Sequence, residues 1–72
     1  MKTEVIKDRM SGRILGYIDR YDNGDAVARL HHNGCIVGRY MASTNQTWNY
    51  IPSTIEADGD VLASLIRENA DY

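Results

Sequence analysis

The stretch Gly12-Arg13-Ile14-Leu15-Gly16-Tyr17-Ile18 is met again 22 positions later as Gly34-Cys35-Ile36-Val37-Gly38-Arg39-Tyr40. Both copies read Gly, any residue, two aliphatics, Gly. A weaker third copy begins 25 positions further on as Gly59-Asp60-Val61-Leu62-Ala63-Ser64-Leu65, with Ala63 in place of the second Gly. Each copy opens after a residue suited to a tight turn, giving Ser11-Gly12, Asn33-Gly34 and Asp58-Gly59. Gly or Asn at such points supplies the positive φ that two-residue primed turns demand, so the three sites are expected to be hairpin tips. The partner strands are expected over Val5 to Met10, Ala26 to His31 and Trp48 to Ile55. Asn33-Gly34, lying between Ala26 to His31 and Cys35 to Met41, is the most specific hairpin signal in the chain.

Gly16 and Gly38 fall in mid-strand, where glycine marks a bulge, a bend or a close backbone approach, and a curved sheet follows. Strict alternation puts Ile14, Gly16 and Ile18 on one face with Ile36, Gly38 and Tyr40 in the second copy. Leu15, Tyr17 and Asp19, and Val37, Arg39 and Met41, then take the opposite face. Asp22-Asn23-Gly24-Asp25 and Ser43-Thr44-Asn45 read as connectors. Pro52 lacks a ladder donor and makes Tyr50 to Ile55 an edge, a bulge or a loop. In the last segment Asp60 is a candidate N-cap, and Val61, Leu62, Leu65 and Ile66 share a helical face, which favours a short helix over 61–69. The repeat itself argues for a strand there. The fold expected is one domain over residues 1–72, mainly β: an antiparallel sheet of Gly-turned hairpin repeats with a short C-terminal α-helix.

At the paired motifs over residues 12–18 and 34–40 the chain resembles small bacterial and phage repeat proteins described as β-flower-like, built from short hairpins punctuated by Gly-x-Ile/Val-Ile/Leu-Gly. The resemblance spans residues 5 to 50 and stops where Val61 to Asn69 turns helical. It implies a hairpin-repeat architecture and no established activity.

At 72 residues the core must be thin, because a domain near this size buries only about 60% of the surface its unfolded chain exposes. Val, Ile and Leu together number 15, Phe is absent, and five Tyr with Trp48 supply the aromatic mass. Their polar tips need partners or water, which draws some of them to the edge of the core or to an interface. Association with a second copy is a natural remedy for so small a core. The net charge of −2 argues against a dedicated nucleic-acid binder. The charges are uneven, however: residues 1–40 sum to +2 and residues 41–72 to −4, a pattern that the two halves facing each other or water accounts for, and whose sharper reading is head-to-tail self-association. Cys35 is the sole cysteine, and Met1-Lys2-Thr3-Glu4 lacks the apolar run of a secretory signal, so a cytoplasmic protein is expected. No apolar stretch reaches the ~18 residues of a membrane span.

Catalytic and metal-binding patterns are poorly represented. His31-His32-Asn33-Gly34-Cys35 gathers two imidazoles and a thiol, but adjacent strand residues point to opposite faces, and a closed zinc site needs about four ligands. Only a site shared between subunits fits those three residues. A nucleophilic Cys35 assisted by His32 has neither a cleft nor an oxyanion donor set around it. Asp19 to Asp25 superficially follows a calcium loop, yet Tyr21 and Leu30 stand where oxygen donors are required. No enzyme and no cofactor is expected. What remains is an interaction surface of Arg13, Tyr17, Arg39, Tyr40, Trp48 and Tyr50, the composition of protein interface hot spots and of single-strand nucleic-acid platforms. The expected function is a non-enzymatic protein-interaction or self-assembling module, with a nucleic-acid-binding module using Arg13, Arg29, Arg39 and the aromatics as the alternative.

Overall fold

The computed structural model describes residues 1–50 and 54–70. Six antiparallel strands form one sheet in the order of the chain: β1 (Lys2–Lys7), β2 (Ile14–Arg20), β3 (Ala26–Leu30), β4 (Ile36–Met41), β5 (Gln46–Asn49) and β6 (Thr54–Asp58). A single helix, α1 (Leu62–Asn69), follows and packs across β2, β3 and β4. The mainly β hairpin-repeat fold with a C-terminal helix is therefore the one the sequence implies. Among the described residues, no helix is long and apolar enough to cross a membrane.

The repeat is real, and its geometry is a β-bulge. In β1–β2, Ile6 pairs with Gly16 and Lys7 with Ile14, leaving Leu15 as the extra residue. In β3–β4, Ala28 pairs with Gly38 and Arg29 with Ile36, leaving Val37. In β5–β6, Thr47 pairs with Ala57 and Trp48 with Ile55, leaving Glu56. The bulge residue breaks the strict alternation expected from sequence. Leu15 turns inward beside Gly16 and Ile18 at 3% exposure, and Ile14 turns outward.

The third unit is thus Ile55-Glu56-Ala57, and not the Gly59-to-Leu65 stretch that the Gly spacing suggests. Asp58-Gly59 is likewise no hairpin tip. Gly59 has φ of +81°, but it carries the chain from β6 into α1. The β5–β6 connection falls at 50–53, of which 51–53 lie outside the described residues, together with the expectation placed on Pro52. The hairpin tips also differ in length from the expected two-residue turns. In the first, the Asp8 amide donates to the Arg13 carbonyl and the Gly12 amide to the Asp8 carbonyl. In the second, the Leu30 amide donates to the Cys35 carbonyl and the Gly34 amide to the Leu30 carbonyl. Each is a four-residue loop whose last residue, Gly12 or Gly34, holds φ of +75° or +70°. The positive φ falls where the glycines predict it, while Asn33 does not share it.

The core lies between the sheet and α1: Ile6, Leu15, Ile18, Ala26, Ala28 and Leu30 from the sheet meet Leu62, Leu65 and Ile66 from the helix. Gly16 and Gly38 let the helix sit this close. A Cβ on Gly16 would stand 2.8 Å from Ile66 Cγ2, and one on Gly38 would stand 2.6 Å from Leu65 Cδ1. The strand-to-helix junction is pinned by Thr47, fully buried, whose hydroxyl donates to the Gly59 carbonyl at 2.6 Å and accepts from the Val61 amide at 3.0 Å. Asp60 stands one residue before the helix cap Val61 and accepts from the Leu62 amide, while its other oxygen meets Arg20 at 2.8 Å. Arg20 also reaches Glu4 at 2.9 Å, so one guanidinium joins β1, β2 and the helix start.

Candidate interaction face

Only one side of the sheet carries the helix. The register defines what the other side presents. One row runs across all six strands as Thr3, Asp19, Val27, Arg39, Trp48 and Ile55. The neighbouring row is Val5, Tyr17, Arg29 and Ile36. Antiparallel sheets commonly leave one face to solvent, but that face is then polar. Here Val5, Ile36 and Ile55 are 46%, 40% and 49% exposed, and Ile14 lies on the same side. Ile14, Ile36 and Ile55 fill one structural slot in the three hairpins, just before the bulge residue, and in each the bulge turns the isoleucine outward.

Polar groups on this face are tied together at its N-terminal half. Asp19 accepts from Thr3 Oγ1 at 2.7 Å and from Arg29 Nε at 3.0 Å. The hydrogen bond from Arg29, then that from Thr3, holds the Asp19 carboxyl below its usual range. The Arg29 guanidinium lies 4.4 Å over the Tyr17 ring, and the Tyr17 hydroxyl is 2.8 Å from His31 Nδ1. The C-terminal half is less satisfied. Arg39 lies 3.9 Å from Asp25, a loose pairing, and the buried Arg39 Nε and Trp48 Nε1 have no hydrogen-bond partner among the described residues. Both are donors whose desolvation is uncompensated within one chain.

Of the surface residues expected from sequence, the structure brings Tyr17, Arg39 and Trp48 onto this single face. Arg13 lies in the β1–β2 loop and Tyr50 at the end of β5, both exposed. Tyr40 departs from the expected surface: it packs against the core on the helix side, and its hydroxyl donates to Asn45 at 2.6 Å. The residue before it, Arg39, points the other way, because neighbouring strand residues alternate. Val5, Val27, Ile36 and Ile55 belong to the face and escaped the sequence reading. For Ile36 and Ile55 the signal was an aliphatic just ahead of a bulge residue, which strict alternation assigns to the other face; Val5 and Val27 stand in strands without a bulge residue and carried no such signal. His31, His32 and Cys35 are all exposed in or beside the β3–β4 loop. The described residues contain no group of three or more His, Cys, Asp and Glu side chains placed to hold a metal.

No protein-family model matches the chain, and neither curated proteins nor solved structures yield a match.

Proposed function

We propose that this chain is a non-enzymatic interaction module that self-associates through the helix-free face of its sheet. The observation that carries the reading is the placing of Ile36, Trp48 and Ile55 on the helix-free side of three adjoining strands, with Ile36 40% and Ile55 49% exposed and Trp48 half-buried. Contiguous apolar surface of this kind marks protein interfaces, and Arg, Tyr and Trp are the side chains that dominate their energetics. The cations of the face favour a protein partner over nucleic acid. Of the two arginines in these rows, Arg29 is held by Asp19 at 3.0 Å and does not stand free to neutralise a phosphate, while Arg39 is only loosely paired with Asp25.

The test is solution mass by light scattering over a range of concentrations, on the wild type and on Ile36→Lys/Ile55→Lys. The wild type is expected above the chain mass and the variant at it, with the same circular dichroism. A wild type that stays monomeric, or a variant that associates as the wild type does, overturns the reading.

A further inference from the structure

We propose that Asn33 is a site of spontaneous modification, losing its side-chain amide as ammonia through attack by the nitrogen of Gly34, and that the fold directs this reaction to Asn33 while shielding the chain's other Asn-Gly pair, Asn23-Gly24. The inference stands apart from the self-association reading and does not depend on it.

Glycine after asparagine leaves the reaction unhindered, because no Cβ blocks the approach of its nitrogen to the asparagine side chain. Asn23 and Asn33 are followed by glycine, whereas Asn45, Asn49 and Asn69 are followed by Gln46, Tyr50 and Ala70. Once deprotonated, the Gly34 nitrogen attacks Asn33 Cγ. The new C–N bond closes a cyclic imide as the Cγ–Nδ2 bond breaks, and the amide takes up the proton and leaves as ammonia. Water then opens the imide at either carbonyl. Opening at Cγ restores the ordinary main chain with aspartate, and opening at the main-chain carbonyl leaves isoaspartate, in which the chain runs through Cβ. Water is the sole co-reactant, and the net change exchanges an amide for a carboxylate and ammonia.

Both asparagines are exposed, in the loops that join β2 to β3 and β3 to β4. Both side chains are turned forward: the Cys35 amide donates to Asn33 Oδ1 at 2.9 Å, and the Asp25 amide to Asn23 Oδ1 at 3.0 Å. Such a donor stabilises the oxygen that gains negative charge as Cγ becomes tetrahedral. Each glycine nitrogen donates to a loop carbonyl at 3.0 Å, Gly34 to Leu30 and Gly24 to Tyr21, so a local opening precedes either attack. In these respects the two pairs are alike.

Asp25 separates them. Its carboxylate accepts from the Ala42 amide at 2.9 Å and meets Asn23 Nδ2 at 3.4 Å. Gly24 lies so near Ala42 that a Cβ on it would stand 2.9 Å from the Ala42 Cβ. The 21–25 turn is thereby fastened to the segment after β4, and a negative charge stands beside the group that must itself become anionic. Asn33 is under neither restraint. Its Nδ2 has no hydrogen-bond partner among the described residues, and a Cβ on Gly34 would meet nothing within 4 Å. Its neighbours along the chain are the exposed His31, His32 and Cys35, and the sequence holds no acidic residue between Asp25 and Glu56. Conversion places a negative charge at the tip of the β3–β4 hairpin. The isoaspartyl form also lengthens the main chain of the loop whose closing bond, from the Leu30 amide to the Cys35 carbonyl, stands directly ahead of Ile36.

The experiment holds the whole chain in mildly alkaline buffer at physiological temperature, folded or in concentrated urea, and samples it over days. Trypsin, cutting after Arg20, Arg29 and Arg39, parts the two pairs onto peptides 21–29 and 30–39, whose asparaginyl, aspartyl and isoaspartyl forms are resolved by chromatography with mass spectrometry. In the folded chain Asn33 is expected to convert on the order of 5-fold faster than Asn23, the weight of one or two further hydrogen bonds to open. In urea the two rates are expected to converge. Asp25→Ala, shown to be folded by circular dichroism, is expected to speed Asn23 and leave Asn33 unchanged. Conversion of Asn23 as fast as Asn33 in the folded chain overturns the proposal. So does a preference for Asn33 that survives in urea, since it then belongs to the neighbouring residues and not to the fold. An Asn33 that stays intact in the folded chain while it converts in urea removes the site, and an Asn23 no faster in Asp25→Ala removes the shielding by Asp25.

Discussion

The two faces of this sheet are built from the same three hairpins and reach opposite solutions. On the helix side the slot after each bulge holds Gly16 and Gly38 beneath α1 and Ala57 in the third hairpin, and Ile6, Leu15, Ile18 and Leu30 are buried with Val37 half-buried beside them. On the other side the slot before each bulge holds Ile14, Ile36 and Ile55, all exposed. The bulge thus sorts two neighbouring apolar residues to opposite sides, and it lets one short motif build a core and an uncovered apolar face together. A thin core and an open face are two results of one device.

Substitutions that strip the helix of its contacts should separate the faces most sharply. Leu65→Ala is expected to cost about 2–5 kcal/mol, because it opens a cavity beneath the helix that covers the sheet, whereas Ile36→Ser should shift the monomer by no more than about 0.5 kcal/mol. Urea unfolding at dilute concentration measures both, and similar losses would erase the distinction between the faces. Next comes the glycine slot. Gly38→Ala places a Cβ within 2.6 Å of both Leu65 Cδ1 and the Trp48 carbonyl, an overpacking expected to cost about 1–3 kcal/mol. Ala57→Gly, in the equivalent slot of the third hairpin, is expected to cost only about 0.5–1 kcal/mol of backbone entropy. A Gly38→Ala protein as stable as the wild type would deny Gly38 its role in the close approach of β4 to Leu65 and to the Trp48 carbonyl.

Thr47→Val tests the junction between sheet and helix. The change keeps shape but leaves the Val61 amide and the Gly59 carbonyl without their shared hydroxyl, at an expected cost of about 1–3 kcal/mol. Hydrogen exchange at Val61 should then rise more than at core amides of β3, and uniform acceleration would deny Thr47 its local role. The smallest effect belongs to Asp19 on the open face. Its carboxyl titrates below the ordinary 3.8 because Arg29 and Thr3 hydrogen-bond the charged form. On acidification the unfolded chain therefore takes up this proton first, so the stabilisation is complete above the ordinary value and is lost as pH falls through the lower folded one. Asp19→Asn should lose less stability than the wild type between about pH 6 and about pH 3. Equal losses would show that the Asp19 cluster does not stabilise the fold.

The residues legible in the sequence were those that act through their own backbone preferences. Gly12 and Gly34 declare their loops because positive φ is costly for any other residue, and the spacing between Gly16 and Gly38 declares the repeat. The apolar spacing of Leu62, Leu65 and Ile66 declares the helix. Tyr17, Arg39 and Trp48 could be named as surface candidates from composition, and they do share a face. The third repeat was misplaced because its marker is Ala57, a residue with no conformational signature of its own, while Gly59 carries the signature for a different purpose. Which side of the sheet each residue takes was decided only by tertiary structure. A bulge shifts the alternation by one, and whether Leu15 or Ile14 is buried depends on where the ladder of the neighbouring strand places the extra residue. Ile36 turned outward for that reason, while Tyr40, beyond the bulge, kept the alternation that sets it with Gly38 on the helix side. Hairpins, glycines and helix are local properties and follow from the chain alone; the two faces are properties of strands paired together, and only the assembled sheet fixes them.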